Sequence, residues 1–221
     1  MTTSAPASSP ARFLVTVDVD STLIRDEVIE LLADEAGSRE SVATITERAM
    51  LGEIDFEHSL RERVATLEGL PTSVFETVLK KIVLTDGAHQ LIAGVHRGGG
   101  RIGAISGGFT QILTPLATRL GLDHWKANQL EVRDGRLTGG VIGPVVDAQM
   151  KASTLREWAS LHSLPPGRTV AVGDGANDIL MMSEAALSVA FMAKPRVRDK
   201  AHIVIDTPDL SQVLPLLGLR G

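Results

Sequence analysis

The sequence predicts an α/β fold, a doubly wound and mostly parallel sheet with a helical insertion after its first strand. Short apolar runs alternate with amphipathic helical patterns from about residue 85 to the end, as in parallel sheets covered by helices. Between residues 25 and 84, helical patterns follow one another with no strand pattern among them. The 221 residues, 43% of them hydrophobic, suffice for one such domain with a modest insertion.

The composition argues against several classes of protein. The chain has no cysteine, so a disulfide scaffold and a thiolate metal site are impossible, and we expect a reducing, cytoplasmic location. A formal net charge of -5 and an aromatic content of 3% disfavour a nucleic-acid partner. No apolar run approaches the roughly 18 residues that a membrane helix needs. We expect a soluble monomer or homodimer.

The order of the patterns predicts how the chain is divided. Residues 1–11 are small and polar, lack the apolar stretch of a signal peptide, and predict a disordered tail. The first strand, roughly 13–17, is apolar at nearly every position, as expected of a strand buried on both faces. We therefore assign residues 12–24 and 85–221 to the α/β core and residues 25–84 to the helical insertion.

Four helices are predicted in the insertion, and residues typical of helix ends support them. Gly37 is a candidate C-cap of the first helix, Asp55 is a candidate N-cap of the third, and Pro71 lies near the start of the fourth. The four predicted helices span residues 26–37, 38–53, 55–69 and 70–84.

Helix and strand patterns alternate after the insertion. Asp134-Gly135, between two alternating segments, predicts a β-hairpin, which forms either a small β-flap or a contact with a partner subunit. Pro115 is expected to kink or restart its helix. The predicted helices span 88–99, 109–121, 151–164, 176–186 and 208–218; the predicted strands span 101–106, 168–173, 187–191 and 201–206, with the hairpin at 128–143.

Polar residues follow several predicted strands at the point where each strand ends. Asp18 and Asp20 follow the first strand, Ser106 ends the second, and Asp174 follows a later one. Lys151 opens the preceding helix, where a cation is mildly unfavourable, and this suggests a further role for it. Because ligands bind at the carboxyl ends of parallel strands, we expect these side chains to form one site.

The carboxylates predict a magnesium site for phosphate chemistry. Asp18 and Asp20 face one side of an extended chain, Asp174 comes from another strand, and Asp178 lies one helical turn later. Carboxylates this close repel one another unless a cation lies among them. Hard oxygen ligands without a His or Cys cluster suit Mg²⁺, which commonly holds a substrate phosphate. One carboxylate can then act as nucleophile and a second as general acid and base.

Ordinary explanations exist for each feature taken alone. A D-x-D pair is often a solvated loop or a cap, Ser106-Gly107-Gly108 can be a plain glycine turn, and Lys151 can be a solvated residue at a helix start. Their coincidence at one sheet edge favours a site instead. In that site the serine hydroxyl, the two glycine amides and the lysine would hold the phosphoryl oxygens.

Four motifs in order resemble the signatures of the haloacid dehalogenase superfamily. D-x-D-x-T spans residues 18–22, Ser106 ends a strand, Lys151 lies in a helix, and G-D-G-x-N-D spans 173–178. The resemblance covers nearly the whole chain and is greatest to the phosphoserine-hydrolysing branch. It implies a HAD-like core with a helical cap at 25–84, and hydrolysis of O-phospho-L-serine through an aspartyl-phosphate, the last step of serine biosynthesis. Alternatives are action on another small phosphomonoester and a non-catalytic Mg²⁺-dependent binding protein.

The resemblance implies a role for each residue of the core site. Asp18 would be the nucleophile and Asp20 the general acid/base. Asp18, the backbone carbonyl of Asp20 and Asp174 would ligate Mg²⁺, with Asp178 supporting them from behind. Ser106, Gly107 and Lys151 would hold the phosphoryl group, and Asn177 would lie near substrate and water.

It also implies that the helical insertion recognises the rest of the substrate. Glu27 would meet the substrate ammonium and Arg63 its carboxylate, with Met50 and Phe56 as an apolar lid. From helical phase alone Arg61 and Arg63 are equal candidates, and the family pattern selects Arg63. By residue type alone, Glu27 is an exposed residue of a first helical turn, and the two apolar residues belong to a core.

Other features are given no catalytic task. The six histidines lack ligand spacing, and Trp125 and Trp158 are expected to pack in the interior. Many relatives carry an N-terminal regulatory domain. Since about a dozen residues precede the first strand, we expect no attached sensing domain and regulation by the catalytic unit alone.

Overall fold

The structure is a computed structural model that describes residues 10–50 and 53–219, apart from the side chain of Met50. Most of the predicted tail, residues 1–11, therefore lies outside the described residues. So does the side chain of Met50, and its place in an apolar lid stays a prediction.

Seven strands form one sheet: β1 Leu14–Val17, β2 Arg101–Phe109, β3 His124–Arg133, β4 Arg136–Ile142, β5 Thr169–Gly173, β6 Leu187–Phe191 and β7 Ile203–Ile205. Their order is β4-β3-β2-β1-β5-β6-β7, so β1 lies at the centre. Strands β4 and β3 pair antiparallel, whereas the other neighbours pair in parallel. The predicted α/β fold with a mostly parallel sheet is confirmed.

The helices are α1 Val28–Ala36, α2 Arg39–Met50, α3 Phe56–Ala65, α4 Val74–Lys81, α5 Ala88–Arg97, α6 Thr110–Leu120, α7 Ala148–Leu161, α8 Ile179–Glu184, α9 Pro195–Arg198 and α10 Val213–Leu216. Helices α1–α4 lie between β1 and the rest of the core in the chain, as the sequence predicts. The four-residue helix α9 has no counterpart in the prediction, and α4 is shorter than predicted.

Strand β1 is buried at every position because helices cover the sheet on both faces. Val15 and Val17 join the apolar cluster on one face, and Leu14 joins a second cluster on the other face with Ile105 and Ala171. Side chains alternate along a strand, so an unbroken apolar sequence can fill both clusters. The strand ends at Val17, and Asp18 is the next residue of the chain.

Helix ends are capped largely as the sequence indicates. Gly37 adopts the left-handed conformation after α1, with φ of 66°. Asp55 caps α3 by accepting a hydrogen bond from the amide of His58 at 2.8 Å. Helix α7 differs from the prediction, because it begins at Ala148 and not at Lys151. The unrecognised cap is Asp147, whose side chain accepts from the amide of Met150 at 2.7 Å.

Two further elements differ in part from the expectation. Helix α6 does not restart at Pro115 but continues through it, since proline removes only one main-chain donor and the apolar face of the helix stays buried. The hairpin forms as predicted, with Asp134 and Gly135 at φ of 50° and 73° in its turn. Strand β3, however, begins at His124, and its first half pairs in parallel with β2.

The hairpin packs on the helical insertion of the same chain. The amide of Gly69 donates to the carbonyl of Leu137 at 2.8 Å, and the amide of Leu137 donates to the carbonyl of Leu70 at 2.9 Å. Gly139 lies so close to α3 that a Cβ there would be 3.2 Å from the Cα of Ala65. The flap and the insertion are therefore joined by backbone contacts that leave no space for a side chain.

Trp158 is buried, as expected of a packing residue, and its ring stacks on that of His124. Within the described ranges, no helix combines the length and the apolar character that crossing a bilayer demands.

Substituting Gly139 tests the contact between flap and insertion. We expect Gly139→Ala to lower the free energy of unfolding by about 2–4 kcal/mol, because a φ of 79° is strained for alanine and the new methyl group meets backbone atoms of α3. Gly143→Ala is the matched control: its φ is 76°, but nothing lies within 4 Å of the added Cβ. It should cost about 1 kcal/mol. Urea denaturation measures both, and equal losses would contradict the close packing.

Candidate active site

The polar residues predicted from the sequence meet at the carboxyl edge of β1, β2 and β5. Asp18 directly follows β1, Asp174 follows β5, and Asp178 lies in the turn before α8. Carboxylate oxygens of these three residues lie within 4.8 Å of one another. Asp18 and Asp178 are buried, and Asp174 is partly exposed. Asp174 and Ser21 also line a surface pocket, so the cluster is open on that side.

Lys151 contacts two of these carboxylates with its ammonium group. Its side chain is fully buried, and its Nζ donates to Oδ1 of Asp18 at 2.6 Å and to Oδ1 of Asp178 at 2.8 Å. Burial lowers the pKa of Lys151, but attraction by Asp178 and Asp18 outweighs burial and raises it above the usual lysine value. The lysine is therefore a permanent positive charge within the site.

The carboxylates carry more negative charge than this lysine offsets. Burial, together with the charge of Asp178, raises the pKa of Asp18 well above its ordinary value. Burial and Asp178 also raise the pKa of Asp174 to about 6. Burial, followed by the charge of Glu27, raises the pKa of Asp20 to about 7. A divalent cation held by oxygen ligands would relieve this repulsion, and the donor set fits such an ion.

An irregular wide turn, Val19–Leu23, begins directly after Asp18 and contains Asp20, the second aspartate of the first motif. It is closed by the amide of Leu23, which donates to the carbonyl of Asp18, and contains Ser21 at φ of 55°. The Asp20 side chain is thereby turned towards α1, where Oδ1 accepts from the amide of Val28 at 3.2 Å. The two carboxylates consequently have different surroundings, although only one residue separates them in the sequence.

Glycines make room for the charged groups. A Cβ on Gly173 would lie 2.4 Å from Oδ2 of Asp178, so glycine is required where β5 meets the turn. A Cβ on Gly108 would lie 3.0 Å from both Oδ2 of Asp20 and Oγ of Ser106. The hydroxyl of Ser106, which is buried, accepts from the amide of Gly108 at 2.7 Å. The end of β2 therefore lies directly beside Asp20.

Phe56 and Asn177 both lie close to Gly107 near the end of β2. The Cζ of Phe56 lies 3.2 Å, and the Nδ2 of Asn177 lies 3.9 Å, from the position that a Cβ on Gly107 would take. Phe56 begins α3 in the helical insertion, whereas Asn177 belongs to the segment after β5. The insertion and the core thus meet above Gly107.

Glu27 and Arg63 also face this space from the insertion. Glu27 accepts from the hydroxyl of Ser21 at 2.7 Å through its Oε1. Arg63 is half-buried; burial lowers its pKa, while the nearby charges of Glu27 and Asp20 oppose that effect. Arg61, by contrast, is exposed and pairs with Glu57 at 2.7 Å. The helical phase of α3 therefore turns Arg63, and not Arg61, towards the carboxylates.

The sequence-based reasoning overlooked supporting residues. Thr22, fully buried, donates from its hydroxyl to Oδ1 of Asp174 at 3.2 Å. Asn128, also buried, donates from Nδ2 to the carbonyl of Gly107 at 2.8 Å. A signal for Asn128 was available, since it is a polar residue at the same edge of the sheet as the recognised ones. It was missed because the parallel half of β3 was missed.

The chain matches known proteins over most of its length. Residues 15–183 match the sequence model of the haloacid dehalogenase-like hydrolases. A phosphoserine phosphatase of Streptomyces coelicolor is 52% identical over 95% of this chain and 51% of its own length. One from Streptococcus thermophilus is 48% identical over 96% of this chain and 99% of its own length. The chain thus spans about half the length of the first relative and nearly all of the second.

Solved structures agree with this family. A phospho-aspartyl intermediate analogue of phosphoserine phosphatase aligns with a TM-score of 0.88 at 42% identity, covering 93% of this chain and 99% of the other. A substrate-bound phosphoserine phosphatase complex aligns with a TM-score of 0.88 at 41% identity, covering 93% and 98%. The chain belongs to the haloacid dehalogenase-like hydrolase family.

Proposed function

We propose that this hydrolase is a phosphoserine phosphatase that converts O-phospho-L-serine to serine and phosphate, the last step of serine biosynthesis. One observation carries the proposal: the cluster of Asp18, Asp174, Asp178 and Lys151 at the sheet edge occurs in a chain about half identical to proteins named phosphoserine phosphatase. The cytoplasmic location and the monomeric or homodimeric state stay predictions from the sequence.

Mg²⁺ is the proposed metal, because carboxylate ligands from few residues suit a hard cation. Asp18, Asp174 and the backbone carbonyl of Asp20 would hold it. Asp178 would act from behind these ligands, since its two oxygens already accept hydrogen bonds from Lys151 and from the amide of Gly175. When bound, the cation neutralises phosphate charge and keeps the nucleophile ionised.

Catalysis would proceed in two steps on the chain's own carboxylates. In the first, an oxygen of Asp18 attacks phosphorus, the bond to the seryl oxygen breaks, and protonated Asp20 gives its proton to that oxygen. In the second, Asp20 takes a proton from a water molecule that attacks the aspartyl-phosphate and releases phosphate. A pKa of about 7 for Asp20 suits a group that donates and accepts a proton near neutral pH.

The phosphoryl group would be held by the residues that surround Asp18. Lys151 supplies a fixed positive charge, and its full burial strengthens that charge's attraction for a phosphate oxygen. The Ser106 hydroxyl and the Gly107 amide provide donors that need not reorganise during the reaction. Asn177, which lies close to Gly107, is proposed to lie near substrate and water.

The amino-acid part of the substrate would be recognised by the helical insertion, acting as a cap over residues 25–84. Glu27 offers a carboxylate to the substrate ammonium, and Arg63 offers a fork of donors to its carboxylate. Phe56, together with Met50, would exclude water from the closed site. Such a cap explains why Arg63 of α3 lies near the charge of Asp20 in the core.

A phosphomonoester panel tests the proposed substrate and metal together. We expect kcat/KM to be highest for O-phospho-L-serine, turnover to vanish after EDTA treatment, and Mg²⁺ to restore it. A preference for esters without an α-amino acid group would favour the alternative, a phosphatase or phosphotransferase for another small phosphomonoester. No turnover on any ester would favour a non-catalytic Mg²⁺-dependent binding protein.

Substituting the two aspartates separates their steps. Asp18→Asn should reduce turnover by about 10⁴-fold or more and leave no phosphorylated protein, because the nucleophile is lost. Asp20→Asn should reduce turnover by roughly 10²–10⁴-fold by slowing formation and hydrolysis of the aspartyl-phosphate. Acid-quenched mass spectrometry detects the phosphorylated chain. The exposed turn residue gives a control, Asp134→Asn, and wild-type turnover by Asp18→Asn would refute the covalent mechanism.

Substituting each of the two arginines of α3 tests substrate recognition. Arg63→Ala should lower kcat/KM for phosphoserine by roughly 10²-fold, since a charged hydrogen-bonding partner is lost. The same variant should lower kcat/KM for p-nitrophenyl phosphate far less, because that ester has no carboxylate. Arg61→Ala, two residues away and exposed, is the matched control. Equal losses on both esters would contradict the proposed role of Arg63.

A further inference from the structure

Asn128 uses both ends of its buried side-chain amide on backbone groups of the site. Its Nδ2 donates to the carbonyl of Gly107 at 2.8 Å, and its Oδ1 accepts from the amide of Val146 at 2.8 Å. A carbonyl can only accept and an amide N–H can only donate, so these partners fix the orientation of the amide. The side chain is 1% exposed and both of its polar ends already bond backbone groups, so it is a support and not a substrate contact.

The first of these bonds fills a gap in the sheet. Strands β2 and β3 are paired at Ile105 and Lys126, and again at Phe109 and Asn128. Residues 106–108 of β2 therefore stand opposite a single residue of β3 and bulge out of the ladder. A bulge leaves main-chain groups without a strand partner. The Asn128 amide supplies the partner for the carbonyl in the middle of this bulge.

The second bond reaches the start of the helix that carries the buried lysine. Val146 precedes Asp147, which caps α7 through the amide of Met150. The carbonyl of Asp147 accepts from the amide of Lys151 at 2.9 Å. Asn128 is thereby connected, through one turn of helix, to the residue whose Nζ contacts Asp18.

We propose that Asn128 is a positioning residue for the phosphoryl group. Its amide ties the bulge that carries Ser106 and Gly107 to the start of α7, so the phosphate donors from β2 and the charge of Lys151 keep one fixed geometry. The inference rests on the proposed phosphatase activity for its kinetic readout, but its binding readout requires only that phosphate enters the site.

The two ends of the amide have separable roles. Asn128→Asp keeps an oxygen for the amide of Val146 but sets a second oxygen against the carbonyl of Gly107. That substitution therefore removes the tie to the bulge and retains the tie to the segment before α7. Aspartate is close to asparagine in volume, so packing around the side chain is little changed, but its carboxylate adds a buried charge. Asn128→Ser, which adds no charge, is therefore measured beside it and should change phosphate inhibition in the same direction.

A matched control exists two residues further along β3, at Leu130. Gln111 also uses both ends of its amide on one strand, donating to the carbonyl of Leu130 at 2.8 Å and accepting from the amide of Leu130 at 3.2 Å. Gln111→Glu makes the same chemical change as Asn128→Asp. It disturbs the flap end of β3 and touches neither the bulge nor the segment before α7.

The experiment measures turnover and two product-inhibition constants with Mg²⁺ present. We expect Asn128→Asp to lower kcat for phosphoserine by about 10²-fold, since small displacements of catalytic groups cost this much. We expect the inhibition constant of inorganic phosphate to rise about 10-fold, through weakened hydrogen bonds to phosphate. The constant for serine should stay within about 2-fold, because the helical insertion would hold that product. Gln111→Glu should change none of the three.

Several outcomes would overturn the inference. Wild-type kcat and phosphate inhibition in Asn128→Asp would show that the tie is not needed. An equal rise in the phosphate and serine constants, or the same changes in Gln111→Glu, would indicate general loosening of the fold. If Asn128→Asp does not fold, Asn128→Ser alone is judged by the same criteria.

A binding measurement separates this inference from the proposed function. Calorimetric titration of inorganic phosphate into wild type and Asn128→Asp, with Mg²⁺, should also give an about 10-fold weaker constant for the variant. A wild-type chain that binds phosphate but does not cleave phosphoserine would refute the proposed function alone. Equal phosphate binding by the two proteins would refute the role of Asn128 alone.

Discussion

The ionic contact of Lys151 with Asp18 and Asp178 is the interaction on which the rest of the site depends. A buried charge without a partner costs several kcal/mol, so none of these three groups is tolerated alone in the interior. The lysine crosses from α7 to reach both carboxylates and holds β1 and the turn after β5 together. Its single charge leaves the carboxylates in excess, and that excess makes the site fit for a divalent cation.

The close packing around this contact restricts which residue types can occupy the neighbouring positions. Gly173 has to lack a side chain because Asp178 fills the space where one would be. The bulge at residues 106–108 brings hydrogen-bond donors towards Asp20. The carbonyl of Gly107 has no strand partner in this bulge and instead accepts a hydrogen bond from the side chain of Asn128. The crowding at Gly173 and the unpaired carbonyl of Gly107 are thus accommodated by neighbouring residues that have no proposed contact with the substrate.

The helical insertion packs on the core through a shared apolar cluster and also reaches the site. Phe56 lies close to Gly107, and Arg63 lies near the charges of Glu27 and Asp20. The flap is joined to the insertion by backbone hydrogen bonds next to Gly139. The proposed recognition of an amino acid therefore combines groups from two parts of the chain that share one apolar cluster.

The sequence by itself determined the α/β class, the central buried strand and the motif residues that meet at one edge, because these follow from apolar periodicity and from the rule that parallel strands end together. Only the tertiary structure showed that α7 begins at Ala148 and that β3 begins at His124. It also revealed Asn128, whose two partners are Gly107 and Val146. Such contacts join residues distant in the chain, and no local pattern of residues encodes the distance between them.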